Sequence, residues 1–235
     1  MTERMSDPTV QTPTGPAADA TGHWYVSLAE IDAMGKKAAR GAGYTWGLAE
    51  EAGRAARWLA AFRQPGPEAL LKVLLAVDGN GTTHAPRPPV WQAEAEILCP
   101  VATGAALSDR ADEIIGGASL QLGPVIEPLL IVPFLCRAAR DFGHPIRLGS
   151  PAHELIATPK GPAAEDWRWL TGPRVEGLQV SPADAAGCRA APPGAQPWCI
   201  GVEIWRALDR FAHRTYAPAT EASRAGAGSS DRDSD

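Results

Sequence analysis

Leu48, Ala52, Ala55, Leu59 and Phe62 recur at three- and four-residue intervals, the spacing that lines one face of an α-helix, and the Thr45 hydroxyl is placed to cap it. A second stripe of small residues, Ala49, Gly53, Ala56 and Ala60, runs beside the first. Gly53 costs about 1 kcal/mol of helix propensity relative to alanine, so a glycine there predicts a neighbouring backbone at close range and a tightly packed helix pair. The partner precedes it. Ser27 and Glu30 have capping-box spacing, Leu28, Ile31, Met34 and Ala38 share a face, and Gly41 or Gly43 can stop the helix. Pro67, suited to a first helical position, opens a third apolar segment from Leu70 to Val77 whose end reads equally as helix or strand.

After the turn signal Asp78-Gly79-Asn80-Gly81 the period changes to two. Trp91, Ala93, Ala95, Ile97 and Cys99 alternate with Gln92, Glu94 and Glu96, which predicts a half-buried strand. Shorter strands are predicted at Ala118 to Leu122 and His153 to Thr158, with a weaker one at Val175 to Val180. A short helix from Ser108 or Asp109 to Ile115, closed by Gly116, fits between the first two. Pro133 begins a helix carrying Leu135, Ala138, Ala139 and Phe142 and ending at Gly143. Val202 to His213, with Ile204, Leu208, Phe211 and Ala212 on one face, closes the pattern. Helices first, strands in the middle and a helix last predict an α+β fold: an N-terminal helical hairpin packed with a central, mostly antiparallel sheet and a C-terminal helix.

The length, 235 residues, suits a single core, and 45% hydrophobic residues supply the apolar material for it. Residues 1–22 and 225–235 are too small and polar to bury surface, so a disordered arm, one globular domain over 23–224 and a disordered tail are expected. A net charge of −5 argues against nucleic acid as a partner. The opening residues lack an apolar signal core, and the most apolar stretch, Val125 to Cys136, is interrupted by Glu127, Pro128 and Pro133. A cytoplasmic protein with no membrane partner is therefore expected. The four cysteines read as reduced, mostly buried thiols; only Cys188 and Cys199 are close enough in sequence to suggest a bridge.

Chemistry-bearing motifs mostly fail on spacing. Gly41-Ala42-Gly43 lacks the third glycine of a dinucleotide loop, and His153-Glu154-Leu155-Ile156-Ala157 has alanine where a zinc hydrolase needs its second histidine. No cofactor and no metal is called for. Two stretches remain. Arg40 to Glu51 sets Tyr44 and Trp46 among glycines at a helix N-terminus, where an anion can be accepted; an interhelical turn with a Glu50–Arg54 surface pair explains it equally. Beyond the last helix, His213, Arg214, Tyr216, Glu221 and Arg224 bring together two guanidinium groups, an imidazole, a phenol and a carboxylate. Such groups bind a small anion and move a proton, unless His213 and Arg214 merely complement the helix C-terminus.

The stretches Ser27-Leu28-Ala29-Glu30-Ile31, Lys37 to Tyr44, Trp46 to Gly53 and Thr215 to Arg224 resemble an uncharacterised bacterial, mainly proteobacterial, domain-of-unknown-function family. The resemblance runs from about residue 25 to the end and implies no activity, cofactor or catalytic residue. It implies that the C-terminal segment belongs to the domain. Ser27 to Trp58 is also similar to the opening of the malate/lactate dehydrogenases that lack a Rossmann fold. Those carry Ser-His-Gly after their helices, where this chain has Gln64-Pro65-Gly66-Pro67, so the proton-carrying histidine is missing and hydride chemistry does not transfer.

Three functional readings stay open at this point. The first is a cytosolic small-molecule-binding or accessory protein of metabolism, its site between the Tyr44/Trp46 turn and the segment Arg214 to Arg224. The second is an enzyme acting on a small anionic metabolite, with His213 or Glu221 as general base and Arg214 and Arg224 as anion clamp. The third is a protein interaction module that uses some of the eight tryptophans. Sequence leaves the oligomeric state undetermined.

Overall fold

In the computed structural model, which describes residues 22–184 and 188–216, the chain enters as strand β1 (His23–Val26) and turns at Ser27 into helix α1 (Leu28–Gly41). The capping box forms as its spacing implies: the Ser27 hydroxyl accepts the Glu30 N–H at 3.2 Å and Glu30 Oε2 accepts the Ser27 N–H at 2.7 Å. Helix α2 (Trp46–Ala61) follows, its Leu48 N–H donating to Thr45 Oγ1 at 3.4 Å. The two helices meet through glycine. An ideal Cβ on Gly35 would stand 3.0 Å from Gly53 Cα, and one on Gly53 only 2.5 Å from the Asp32 carbonyl oxygen, so the predicted close pair rests on positions that exclude a methyl group. Helix α3 (Gly66–Val77) stays helical to its end and buries Leu70, Val73, Leu74 and Val77, which removes the strand alternative.

The strand expected from Trp91 to Cys99 does not form. Trp91 and Glu96 have φ of 53° and 59°, left-handed conformations that break a pleat. Isolated bridges hold the segment instead, Arg87 to Gln92 and Leu98 to Val125. Trp91 and Cys99 are nonetheless buried and Ala93, Ala95 and Ile97 half-buried, while Gln92, Glu94 and Glu96 are exposed, so up to Ile97 the alternation reports burial without reporting a strand.

Helix α4 (Pro100–Asp109) covers the stretch before the expected short helix, which is in fact a separate element, α5 (Ala111–Ile115), closed by Gly116. An apolar run with no polar stripe carries no helical period. Gly104 in α4 lies against the face of Phe134, where a Cβ would overlap the ring.

Strand β2 (Leu120–Gln121) precedes a 3-10 turn over Pro128–Ile131 and helix α6 (Val132–Phe142), which has Pro133 in its first turn and ends at Gly143 with φ 73°. Then come β3 (Ile146–Gly149), β4 (Glu154–Thr158), β5 (Gly161–Ala163) and β6 (Gln179–Pro182). With β2 they form one antiparallel sheet in the order β2-β6-β3-β4-β5, in which Leu148 lies opposite both Leu155 and Val180. Strand β7 (Trp198–Gly201) pairs antiparallel with β1, Val26 opposite Trp198, and leads into α7 (Val202–His213). Helix α7 packs on the end of α1, where Gly41 leaves room for the Phe211 carbonyl.

The architecture is α+β with N-terminal helices, an antiparallel sheet and a closing helix. Among the described residues no helix is long and apolar enough to cross a membrane. All four cysteines are free thiols, Cys99 and Cys136 buried, Cys188 and Cys199 exposed. The expected tail over 225–235 lies outside the described residues, as does the expected arm except for Gly22.

Candidate functional site

The end of α7 lies beside the end of α1, where an ideal Cβ on Gly41 would stand 3.4 Å from Arg214 Cβ. Arg214 Nη1 reaches Asp78 Oδ1 at 2.6 Å, and its guanidinium lies 4.4 Å from the centre of the Phe211 ring. The Gly79 N–H donates to the Ala42 carbonyl at 3.1 Å in the same corner. His213 Nε2 stands 3.3 Å from Asp209 Oδ2, and the half-exposed Tyr216 ring meets the His213 ring edge-on at 5.1 Å. Glu221 and Arg224 lie outside the described residues. Tyr44 and Trp46 point elsewhere. The Tyr44 hydroxyl is buried against Cys99 Sγ at 3.0 Å, and burial pushes its pKa well up. Trp46 lies exposed under the Arg40 guanidinium, 4.6 Å from the ring centre. The structure thus gathers His213, Arg214 and Tyr216 at one helix end and sends the two aromatic side chains of the turn in other directions.

A cavity lies elsewhere. A cleft of about 590 Å³ opens between α2 and α6 and is walled by the turn Pro159 to Gly161 and the loop Pro193 to Ala195. Helix α2 contributes a stripe at helical spacing, Glu51, Arg54, Ala55, Trp58 and Phe62, because residues three and four apart stack on one face. Trp58 and Phe62 stack on each other with ring centres 4.1 Å apart at 29°, and Trp167 lies tilted against Trp58 at 6.5 Å. Helix α6 adds Phe134, Cys136, Arg137 and Arg140. The loop wall is anchored by the Gly194 N–H, which donates to the Ala61 carbonyl at 2.7 Å.

Five cations line the cleft, Arg54, Arg57, Arg137, Arg140 and Lys160, against the single carboxylate of Glu51. Their partners decide how much of that charge is free. Glu51 is held on both sides, by Arg54 Nη1 at 2.9 Å and by Arg137 Nη1 at 2.7 Å. The chain of charges continues through Arg54 Nη2 to Glu50 Oε2 at 3.2 Å and on to Lys36 Nζ at 2.7 Å. The Lys36 ammonium is the main reason the Glu50 carboxyl lies below the usual carboxylate range. Arg57 approaches Asp32 at 3.6 Å and Arg140 meets Asp141 at 3.2 Å. Lys160 has no ion-pair partner among the described residues. The cleft therefore keeps a positive surplus in a chain whose net charge is −5.

Cys136 is the one thiol in the lining. Burial pushes its thiol far above the ordinary range, opposed only by the Arg140 charge, so it stays protonated and acts as apolar wall. Glu51, with each oxygen engaged by a guanidinium, orients Arg54 and Arg137. The arrangement can therefore hold an oxyanion beside an aromatic surface. Among the described residues no group of three or more His, Cys, Asp and Glu is placed to hold a metal ion.

The core-face pattern of α2 gives no role to Trp58. The interval Glu51, Arg54, Trp58 is the available signal, a polar and aromatic stripe flanking the Leu48 to Leu59 face, and Phe62, read as part of that core face, lines the cleft beside Trp58. The convergence of α6 and two distant loops on that stripe has no sequence signature.

No curated protein and no solved structure matches the chain. Residues 26–103, about a third of the chain, carry α1, α2, α3 and the start of α4 and stop short of α6 and the C-terminal segment; they match the family described as a protein of unknown function, DUF3726.

Proposed function

We propose that the protein is a cytoplasmic binding protein for a small anionic metabolite and that the cleft between α2 and α6 is its site. One observation carries this reading: stacked, half-buried aromatic rings and a surplus of cations share one cavity of ligand size. Binding is favoured over catalysis because the lining thiol is held protonated and the lining carboxylate is engaged at both oxygens. An accessory role, delivering or sensing a metabolite, follows from such a site.

A thermal-shift panel of carboxylate and phosphorylated metabolites tests it, run on the wild type and on the Arg137→Gln/Lys160→Gln double variant. A ligand at about 100 times its dissociation constant adds about 2.7 kcal/mol, which for a chain of this size raises Tm by about 5–10 °C. The expected result is a shift in the wild type that the double variant loses. No shift with any compound, or an equal shift in both proteins, overturns the proposal.

A further inference from the structure

The cleft carries more information than its charge, and it bears on the shape of what binds. Trp58 and Phe62, one turn apart on α2, stack on each other, which leaves the outer side of the stack and the ring edges to a ligand. Phe62 faces the backbone of Gly161, where an ideal Cβ would lie 3.6 Å from Phe62 Cε1, and Gly161 has φ 130°, a conformation that side-chain-bearing residues rarely adopt. The strand turn thereby approaches the ring edge without a side chain between them. Pro159 and Pro193 stand on the same rim, and proline, with φ fixed, makes a wall that loses little freedom when a ligand arrives. Arg137 extends the aromatic character to the α6 side, its guanidinium 5.3 Å from the Phe134 ring centre.

The charges are graded along this surface. At the Glu51 end two guanidiniums already share a carboxylate. At the Phe62 end Lys160, the residue before Gly161, has no carboxylate among the described residues. An incoming anion gains most from the cation that has no partner to give up.

We infer that the cleft selects a flat aromatic oxyanion, its ring extending the Trp58–Phe62 stack and its carboxylate or phosphate meeting Lys160. This rests on the binding function proposed above and adds the ligand class. The rings supply shape selection, because a π surface favours a planar partner over a saturated one of the same size. Lys160 supplies charge selection.

Four small probes separate the parts: benzoate, cyclohexanecarboxylate, phenyl phosphate and benzyl alcohol, each titrated at neutral pH and low salt with dissociation constants read from protein chemical shifts. Benzoate is expected to bind about fivefold tighter than cyclohexanecarboxylate. Trp58→Leu brings the two to parity while both still bind. Lys160→Gln weakens benzoate about fivefold and leaves benzyl alcohol, the weakest probe, unchanged. Phenyl phosphate binding tighter than benzoate names a phosphate as the natural group, and the reverse order names a carboxylate; both support the class. Equal binding of benzoate and cyclohexanecarboxylate overturns the aromatic class and leaves the anion-binding function standing. Benzyl alcohol binding as well as benzoate overturns the oxyanion. Binding of none of the four removes the binding function itself.

Discussion

Substituting Gly53 by alanine should destabilise the protein although it improves the intrinsic helix propensity of α2. The propensity gain is about 1 kcal/mol. Against it stands the new methyl group, 2.5 Å from the Asp32 carbonyl oxygen, 2.9 Å from Asp32 Oδ1 and 3.0 Å from the Lys36 backbone nitrogen. The nearest obstacle is helix backbone, which cannot rotate away as a side chain end can, so the helices must separate. Overpacking of this kind costs up to about 3 kcal/mol, and the net loss is about 2 kcal/mol. At about 2–4 °C per kcal/mol for a chain of this length, Tm falls by about 4–8 °C. Gly47, in the first turn of the same helix, is the control, because nothing lies within 4 Å of its ideal Cβ. Gly47→Ala should leave Tm unchanged or raise it by about 1–2 °C, since a gain of about 0.5 kcal/mol remains when no clash opposes it. Calorimetry of the three proteins reads both effects. Equal shifts of the same sign would refute the argument that backbone approach, and not propensity, explains glycine at 53.

Two further outcomes follow from buried carboxylates. Burial raises the pKa of Glu68 above its ordinary 4.5, while Trp198 Nε1 donates to its Oε1 at 3.1 Å. The folded state therefore holds this proton more tightly than the unfolded chain, so Glu68 contributes stability below pH 4.5 that is lost as pH rises through the folded pKa; Glu68→Gln should flatten that decline in urea titrations at stepped pH, and an unchanged slope would contradict it. Glu127 is 1% exposed, with φ 43°, and its Oε1 accepts from Lys72 Nζ at 2.9 Å and the Gly172 N–H at 3.2 Å. Lys72→Ala strands that carboxylate and should cost about 1–2 kcal/mol, discounted because Lys72 is half exposed; adding Glu127→Gln should recover most of the loss, whereas additive losses would contradict the pairing.

The elements that declared themselves in sequence have strong local rules behind them. The Ser27–Glu30 box, the Thr45 cap, Pro133 at a helix start and Gly143 at its end act within one turn of chain, and each is where its spacing implies. What was hidden depends on distance. Strands β1 and β7 pair across nearly the whole chain, α4 is too uniformly apolar to show a period, and the Trp91 to Cys99 alternation is broken by two left-handed residues that no polarity pattern encodes. The site follows the same division. His213, Arg214 and Tyr216 are adjacent in sequence and lie together, and Arg214 reaches the corner beside the α1–α2 turn. Trp58, Arg137 and Lys160 belong to three separate elements, and only the packed fold brings them to one cleft.

The eight tryptophans give eight indole N–H resonances spread over the molecule, each assignable by single substitution to phenylalanine. Titrating benzoate while following them reports directly where the ligand sits. Binding in the cleft moves Trp58 most, with Trp167 beside it, and leaves Trp46 still. A shift centred on Trp46, or a Trp58 resonance unmoved when the ligand is saturating, would contradict the assignment of the site.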